Sequence, residues 1–403
     1  MKIAIVVQNL SFITGGPRLL LGLAKELMQM GDTVVVYTED KVGDFFGELA
    51  RGIIAKVVEL PAPAGPRSGG FFGWISGKAR EEFGDILWAK KVAAAMDPDF
   101  DVVNVHDFAY RVGYFYKKRS PKTKVVWQEN QPLLFYVKRG KLLYDLIGPL
   151  YWWVKKFTDK KYFDAMDGIS VLDELTKTQR EARGFNNVRI VRAGVDFQKF
   201  YAPVKNFSPK AARKEAQLFA LGALNFVRRF DNVVEAVRCL REWGYGVTAT
   251  IVAKNIWHED QCKEDLIALV KKYDLEQCVK LNFDGLSEAD LIKTFHASDV
   301  FVQAAYAPPP SHQGWGLVNF EALAAGLALA VVRSSGATEV LEDGKTALFF
   351  DPLQPEQIAQ KVKFLIDRPR EYDRIAKSGQ SYVKENQSWK RYATEMREFF
   401  LGK

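Results

Sequence analysis

Short apolar runs alternate with amphipathic segments along the first half of the chain. The runs predict buried strands at residues 2–7, 33–37, 53–60, 102–105, 124–127, 168–171 and 188–191. Between the first two, residues 17–30 carry apolar side chains at helical spacing along one face. Strands that are apolar throughout and are joined by helices predict a parallel, doubly wound sheet.

The periodicity breaks at residues 192–214, where Gly194, Pro203 and Pro209 interrupt it, and we interpret this stretch as an interdomain linker. Ser287, with Asp290 three residues later, predicts a capped helix start further on. We expect two doubly wound domains with a ligand cleft between them, at the carboxyl ends of both sheets. The second α/β series has strands predicted at 218–221, 247–252, 279–283, 300–302, 328–332 and 347–349, and helices at 231–243, 260–273, from 355 onward and at 390–400.

Composition agrees with two domains, because 403 residues exceed the roughly 250–300 that one hydrophobic core supports. Hydrophobic residues at 48% and charged residues at 26% are typical of folded globular proteins. The three cysteines and four histidines lack the spacings of disulfide frameworks, zinc ribbons or HExxH motifs. We therefore expect a reducing compartment, the cytoplasm, and neither a metal ion nor a cofactor.

The first apolar run turns polar at Gln8, which predicts a strand rather than a leader peptide. The most suspicious apolar stretch, residues 146–154, is far shorter than the ~20 residues of a membrane span. We expect no segment that crosses a bilayer.

Positive charge is concentrated in one window. Residues 101–163 hold thirteen Lys or Arg against five Asp or Glu, an excess equal to the net charge of +8 of the whole chain. Apolar and aromatic residues at 142–154 are flanked there by basic ones at 138–141 and 155–161. Such a helix is typical of segments that lie on anionic membranes, here residues 133–163, and also of a core helix with solvated lysines at its ends. Nucleic acid is not an expected partner, because no helix-turn-helix, RNP or zinc-finger signature is present.

Two candidate sites lie where a predicted strand meets a predicted helix. Gly15 and Gly16 let the backbone approach a ligand, and the helix start that follows, with Arg18, offers N–H groups to an anion; a plain tight turn has the same pattern. Further on, the guanidinium groups of Arg228 and Arg229 suit bidentate contact with a phosphate, although paired arginines are also common on solvated surfaces.

A third candidate site is the most informative, because a Gly-Trp-Gly turn after three prolines opens a helix. Its N–H groups are predicted to point into the cleft, and Glu321, one helical turn further on that face, can accept two hydroxyls of a ribose. The alternative is an ordinary helix with a solvated glutamate. The residues concerned are Gln313, Gly314, Trp315, Gly316, Leu317, Val318 and Glu321.

Together with residues 335–352, this third site resembles the nucleotide-sugar site of GT-B-fold retaining glycosyltransferases, in particular glycosyltransferase family 4 (glycosyl transferases group 1). The Gly15-Gly16 turn, residues 190–200 and residues 222–228 match other landmarks of the family in order. The resemblance therefore covers nearly the whole chain.

The resemblance implies a domain organisation. Two Rossmann-like domains are expected to face a central cleft. Residues 1–197 are expected to form the acceptor-binding domain, against which residues 386–403 pack as the last helix. Residues 198–385 are expected to form the donor-binding domain.

The resemblance also implies residue roles. Glu321 corresponds to the second glutamate of the family's E-x7-E motif, which holds the donor ribose, and Arg228 falls where a lysine contacts the diphosphate. Leu317 and Val318 are expected to offer backbone N–H groups to the distal phosphate. Leu286 falls where the nucleobase edge is read.

Three positions depart from the family pattern. Gln313 replaces the first glutamate of E-x7-E, and Ala223 replaces an arginine of the diphosphate site. Gln128 stands where many members place an active-site histidine. Gln313 can hydrogen-bond sugar hydroxyls but carries no charge to stabilise an oxocarbenium ion. Arg229 is a candidate replacement for the lost arginine.

The resemblance implies retaining, metal-independent transfer of a hexose from a nucleotide-diphosphate sugar to a lipid-linked or polysaccharide acceptor, at the inner face of the membrane. The leaving diphosphate would take the acceptor proton, and the catalytic candidates are Gln313, Arg228 and His106. His106 is expected to contact acceptor or sugar, or to be a simple strand-end histidine. Arg18 and Gln128 are expected on the acceptor side.

The three departures favour an alternative, a catalytically silent GT-B protein that binds nucleotide or glycan or supports a partner transferase. A nucleotide-sugar epimerase fits the E-x7-E string poorly. A pyridine-nucleotide dehydrogenase fits less well still, because no GxGxxG opens either domain.

Overall fold

The computed structural model describes the chain in segments and divides it into two compact units. The first unit comprises Met1–Arg192 and Tyr392–Lys403, and the second comprises Ala193–Arg391. Sequence had suggested borders at 197/198 and 385/386. Val195 forms a bridge with Ser388 and donates its N–H to the Gln387 carbonyl, which places both chain stretches in the second unit. The described residues are 1–11, 15–43, 46–59, 71–130, 142–205, 214–256, 259–308 and 314–403.

The first unit contains a parallel sheet. Its strands are β1 (Lys2–Val6), β2 (Thr33–Thr38), β3 (Ile54–Val57), β4 (Val102–His106), β5 (Lys124–Glu129), β6 (Gly168–Val171) and β7 (Val188–Ile190). Its helices are α1 (Gly15–Gln29), α2 (Gly47–Ala50), α3 (Phe71–Ala95), α4 (Tyr110–Arg119), α5 (Leu142–Phe163) and α6 (Glu174–Glu181). Among the described residues the strand order is β3-β2-β1-β4-β5-β6-β7, so the chain winds outward in both directions from β1.

The second unit repeats this plan. Its helices are α7 (Phe197–Phe200), α8 (Phe230–Glu242), α9 (Asp260–Lys272), α10 (Glu288–Ala297), α11 (Leu317–Ala324), α12 (Pro355–Asp367), α13 (Pro369–Asn386) and the start of α14 (Trp389–Leu401). Its strands are β8 (Gln217–Ala223), β9 (Thr248–Lys254), β10 (Val279–Asn282), β11 (Val300–Gln303), β12 (Ala328–Val332) and β13 (Leu348–Phe350). In the described part of this unit their order is β10-β9-β8-β11-β12-β13. The predicted α/β class with two parallel sheets is confirmed.

Burial explains which predictions of strand length were accurate. The central strands β1, β4 and β11 have neighbours on both sides, are buried nearly throughout and match their predicted bounds to within one residue, whereas the less buried β8 is longer than the predicted 218–221. β3 lies at a sheet edge with a single neighbour, and Ile54 and Val57 are exposed. The strand predicted at residues 53–60 is therefore shorter, and residue 60 lies outside the described residues.

Part of the stretch interpreted as a linker packs into the second unit. α7 places Phe200 in the interior, where its ring meets that of Phe295 edge-on with centroids 5.8 Å apart. Because glycine and prolines flank α7 and the helix has only four residues, its sequence shows no hydrophobic periodicity that would predict this packing. Residues 206–213 lie outside the described residues.

The predicted cap at Ser287 is observed. The Ser287 hydroxyl oxygen accepts a hydrogen bond from the Asp290 N–H at 3.1 Å, and the hydroxyl donates to the Asp290 carboxylate at 2.6 Å. This cap fixes the start of α10 directly after the turn that follows β10.

The end of α14 packs within the first unit. Its Met396 is buried, with the sulfur 3.2 Å from the Ser170 hydroxyl in β6. A Cβ on Gly168 would lie 2.6 Å from the Phe399 ring, so this close approach requires glycine. The last helix therefore completes the first unit.

Candidate functional site

The Gly-Trp-Gly turn enters α11 through a residue in the left-handed conformation. Gly316 has φ of +69° and is the N-cap of the helix, and a Cβ on it would lie 2.6 Å from Nδ2 of Asn319. Only glycine adopts this backbone without strain. The amides of Leu317 and Val318 are in the first turn and so have no acceptor inside the helix. This end of α11 presents N–H groups and the positive end of the helix dipole.

The ring of Trp315 holds the turn against the helix. It stacks on Phe320 with centroids 4.7 Å apart and planes inclined by 18°, and it is buried. Glu321 follows one helical turn after Leu317, and its side chain is also buried. A solvated glutamate, the alternative for this position, does not describe it. Gln313 lies outside the described residues.

A second turn, after β12, packs directly on the Gly-Trp-Gly turn. A Cβ on Gly336 would lie 3.2 Å from Cα of Trp315 and 3.3 Å from the carbonyl atoms of Gly314. Ser335 caps the short helical turn that follows, and the Thr338 hydroxyl donates to the carbonyl oxygen of Ser335 at 2.7 Å. The two loops therefore pack closely against each other.

Arg228 folds back over the end of β8. Its Cδ lies 3.3 Å from the position that a Cβ on Gly222 would take, so the glycine makes room for the arginine. The Asn225 side-chain oxygen accepts the Arg228 N–H at 3.1 Å and fixes the turn. Burial lowers the pKa of Arg228 below its ordinary value, because the charged guanidinium is poorly solvated there. An anion bound beside it would stabilise the charged form.

Arg229 is held by its own helix. It has φ of +53°, and its guanidinium donates to both carboxylate oxygens of Asp231, at 3.1 and 2.6 Å, and to the Asn232 side-chain oxygen at 3.2 Å. The expected role of Arg229 as a substitute for the arginine missing at Ala223 would require this ion pair to open.

Leu286 lies in a tight turn after β10. The Asn282 side-chain oxygen accepts the N–H groups of Asp284 and Gly285 at 3.0 and 2.9 Å, and Gly285 has φ of +89°. Leu286 is half-buried, and Ser287 after it caps α10. The backbone of Leu286 is thus fixed from both sides.

Strand order brings these residues to one edge of the second sheet, the edge formed by the carboxyl ends of its strands. Leu286 follows β10, Arg228 follows β8, the Gly-Trp-Gly turn follows β11, and the Gly336 turn follows β12. Because all pairings are parallel, each of these loops leaves the carboxyl end of its strand. Loops gathered along such an edge are a usual location of ligand sites in parallel sheets.

Gly15, Gly16, Arg18, His106 and Gln128 belong to the first unit instead. α1 begins at Gly15, and Arg18 is half-buried in its first turn. A Cβ on Gly16 would lie 3.6 Å from a carboxylate oxygen of Asp107. A carboxylate therefore lies beside the helix start that the sequence predicts as an anion site.

His106 is enclosed by amide side chains. Its Nε2 lies 2.8 Å from the Asn104 side-chain oxygen, and its Nδ1 lies 3.2 Å from Nδ2 of Asn130. The ring is 1% exposed, and burial lowers the pKa of His106 to about 3. The imidazole is therefore neutral near pH 7, with Nε2–H donating and Nδ1 accepting.

Asp107 and Asn130 complete this network and were missed by sequence reasoning. Asp107 has φ of +46°, and its two carboxylate oxygens accept the backbone and side-chain N–H groups of Asn130 at 2.8 and 3.0 Å. Asn104, a polar residue inside the apolar run of β4, was the available signal.

Gln128 is buried in β5, in register with His106 in β4 and Ser170 in β6. Its side-chain oxygen accepts the Ser170 hydroxyl at 2.6 Å. Within the described ranges, no group of three His, Cys, Asp or Glu side chains could hold a metal ion.

Comparison with known proteins gives one family match. Residues 203–382 match the family described as glycosyl transferases group 1. A glycogen synthase of Mycobacterium tuberculosis is 23% identical over 58% of this chain and 52% of its own length. Spore coat protein SA of Bacillus subtilis is 29% identical over 55% of this chain and 60% of its own length. The chain spans about half the length of the curated relatives it matches.

Solved structures resemble the whole chain. HepE of Anabaena in complex with UDP-glucose has a TM-score of 0.73 at 15% identity, with both chains covered in full. WaaG, a glycosyltransferase involved in lipopolysaccharide biosynthesis, has a TM-score of 0.64 at 15% identity, also over both full chains. At these identities the likeness concerns the fold, and the predicted GT-B class is confirmed.

Proposed function

Because residues 203–382 belong to the glycosyl transferases group 1 family, we propose that the chain is a retaining glycosyltransferase that uses a nucleotide-diphosphate sugar. The observation that carries the proposal is the construction of one sheet edge. There the buried Glu321 lies one helical turn after the first-turn amides of α11, and the Gly336 turn packs against Trp315.

Each part of this edge suits a different part of the donor. The carboxylate of Glu321 accepts ribose hydroxyls, while the amides of Leu317 and Val318 bind the distal phosphate. Arg228 stabilises the charge that develops on the departing diphosphate, and its burial strengthens that interaction. Leu286 presents its backbone to the nucleobase, and Gln313 hydrogen-bonds sugar hydroxyls.

In the proposed reaction the diphosphate leaves on the face that the acceptor attacks, and its oxygen takes the acceptor proton. No protein nucleophile and no metal ion take part, because Arg228 and the start of α11 supply the positive charge. His106 is bonded through both ring nitrogens to Asn104 and Asn130, so it is proposed to position these amides as a neutral group, since burial keeps its pKa near 3. Arg18 and Gln128 are proposed on the acceptor side, and the anion site at Gly15 and Gly16 stays a prediction.

We propose a lipid-linked or polysaccharide acceptor, reached at the anionic inner face of a membrane, because of one surface of α5. Large apolar side chains recur there at helical spacing and are 46–60% exposed: Leu150, Trp153, Val154 and Phe157. The rings of Trp153 and Phe157 lie edge to face, 4.8 Å apart. The next turn carries the exposed Lys160 and Lys161. An apolar stripe beside lysines is typical of helices that lie in the membrane interface.

The opposite face of α5 is anchored within the first unit. Lys155 pairs with Glu82 and with Asp159, and Asp159 accepts the Tyr110 hydroxyl at 2.5 Å. Arg111 pairs with Asp159 at 3.4 Å. These buried charges fix which face of the helix remains outside.

None of the helices in the described ranges is long and apolar enough to cross a membrane. Residues 133–141 of the expected membrane window lie outside the described residues.

Calorimetric titration of the purified chain with UDP-, GDP-, ADP- and dTDP-sugars tests the donor assignment. UDP-glucose is the first probe, since HepE binds it. We expect one donor to bind and to release free nucleotide diphosphate slowly. Glu321→Gln should weaken binding about tenfold or more, because it removes a charge-assisted hydrogen-bond acceptor.

Glu342→Gln, at an exposed glutamate of the same unit, is the matched control and should bind as the wild type does. Binding without hydrolysis or transfer to any membrane-extracted acceptor would favour the catalytically silent alternative. No binding of any nucleotide would overturn the donor site.

A further inference from the structure

Lys254 ends β9 at the edge that carries the candidate donor residues. It pairs in register with Ala223, the last residue of β8. Its carbonyl oxygen accepts the N–H groups of Leu224 at 2.8 Å and Ile256 at 3.0 Å. The backbone of Lys254 is therefore fixed at the point where both strands end.

The aliphatic stem of Lys254 is held by the turn that presents Leu286. A Cβ on Gly285 would lie 2.9 Å from Cδ of Lys254 and 3.4 Å from its Cγ. Gly285 thus serves two purposes: it adopts the positive φ of the turn and leaves space for the lysine stem. A stem held in this way has lost much of its rotamer freedom before any ligand binds.

The ammonium of Lys254 has no ion-pair partner among the described residues, although the side chain is half-buried. Several other half-buried lysines of the second unit are ion-paired: Lys199 with Glu288, Lys205 with Asp299 and Lys363 with Asp367. A partly desolvated cation without a carboxylate is stabilised by an anionic ligand.

We propose that Lys254 binds the diphosphate of the donor and takes the place of the arginine that the family carries at Ala223. The inference rests on the proposed function. Residues paired in register, such as Ala223 and Lys254, lie about 4.8 Å apart and point to the same face of a sheet. A lysine at position 254 can therefore supply positive charge where an arginine at position 223 would. The short side chain of Ala223 leaves that space open.

Strand order supports the same assignment. Along the edge, Lys254 at the end of β9 lies between Leu286, after β10, and Arg228, after β8. A nucleotide with its base at Leu286 and its phosphates at Arg228 passes Lys254. Arg229, the other nearby cation, is bound by both carboxylate oxygens of Asp231.

The test is calorimetric titration of wild type, Lys254→Met, Ala223→Arg/Lys254→Met and Lys280→Met with UDP, GDP and ADP and with the corresponding nucleosides uridine, guanosine and adenosine. Lys280, exposed in β10, is the control and should not change affinity. We expect Lys254→Met to weaken the best nucleotide about tenfold or more. The double variant should recover most of that loss, because the arginine returns the charge to the same site. The loss should be larger for the nucleoside diphosphate than for the nucleoside.

The outcomes separate this inference from the proposed function. If wild type binds none of the three nucleotides, the donor site itself fails. If wild type binds and Lys254→Met binds equally well, the assignment of Lys254 is wrong while the donor site stands. A folded double variant, judged by an unchanged melting temperature, that recovers no affinity would overturn the replacement of the arginine. An equal loss for nucleoside and diphosphate would place the ammonium on the base and overturn the phosphate contact.

Discussion

Arg397, in the last helix, binds Asp32, which immediately precedes β2, through two hydrogen bonds, from Nε at 2.8 Å and from Nη2 at 3.3 Å. The Asp32 side chain is 1% exposed, while that of Arg397 is 36% exposed. A buried carboxylate thus holds the C-terminal helix to the first sheet. Lys124 assists by donating to the Phe399 carbonyl at 2.7 Å.

Arg397→Met should destabilise the protein by about 2 kcal/mol, because it leaves a buried carboxylate with less compensation. The measurement is the urea unfolding midpoint. Lys345→Met is the control, since Lys345 contacts both carboxylate oxygens of Glu342, at 2.9 and 3.1 Å, and both side chains are exposed. The control should change stability by less than about 1 kcal/mol. Equal losses in both variants would contradict the importance of burial at Asp32.

His106 should make stability depend on pH in a defined window. Its folded-state pKa is about 3, against roughly 6.5 in an unfolded chain. Between these values the unfolded state takes up a proton that the folded state does not, so stability is lost as pH falls below about 6.5. At pH 5 the loss from this group is about 2 kcal/mol.

The free energy of unfolding, measured at pH 7.5 and pH 5 in His106→Gln, tests this expectation. The drop between the two pH values should be about 2 kcal/mol smaller than in wild type. His296→Gln, which removes the half-buried histidine of α10, should retain the wild-type drop. The same drop in His106→Gln as in wild type would show that other groups cause it.

Gly336→Ala should weaken nucleotide binding more than it weakens the fold. The added methyl group would meet the backbone of Gly314 and Trp315 at 3.2–3.3 Å, so the Gly-Trp-Gly turn must move by a few tenths of an ångström. We expect a loss of about 1 kcal/mol in stability and about tenfold in nucleotide affinity, since the amides at the start of α11 shift with the turn. Gly84→Ala, in open space on α3, is the control and should bind normally. Unchanged affinity in Gly336→Ala would show that the turn position does not matter.

Trp153→Glu/Phe157→Glu should abolish binding to anionic vesicles. Each ring contributes roughly 1.5–3 kcal/mol when it leaves water, so affinity should fall at least about a hundredfold. The measurement is co-sedimentation with vesicles of mixed phosphatidylglycerol and phosphatidylcholine. Trp243→Glu, at an exposed tryptophan of the second unit, is the control and should sediment as wild type does. Vesicle binding by the double variant as strong as that of wild type would contradict the proposed membrane face. Equally strong binding of wild type to neutral phosphatidylcholine vesicles and to anionic ones would contradict it as well.

Sequence reasoning located most strands because each is a short apolar run with a polar or glycine boundary. It also located the cap at Ser287 and the glycine before α11, since both are local steric requirements. It predicted helices between the early strands but gave no bounds for α3, α4 or α6. The sequence does not distinguish an exposed apolar stripe on α5 from a buried one, because a list of apolar residues does not say which face the rest of the protein covers.

The sequence by itself determined the α/β fold class, because strand periodicity and glycine turns are local properties of the chain, and its motifs showed the resemblance to glycosyltransferase family 4. Only the tertiary structure decided that His106 is enclosed and neutral, that Arg229 is bound by Asp231, and that Lys254 stands beside Ala223. The last relationship joins residues 31 positions apart through strand register. Register depends on how the buried faces of both strands match and on the connection between them, so the pattern read along one strand does not give it.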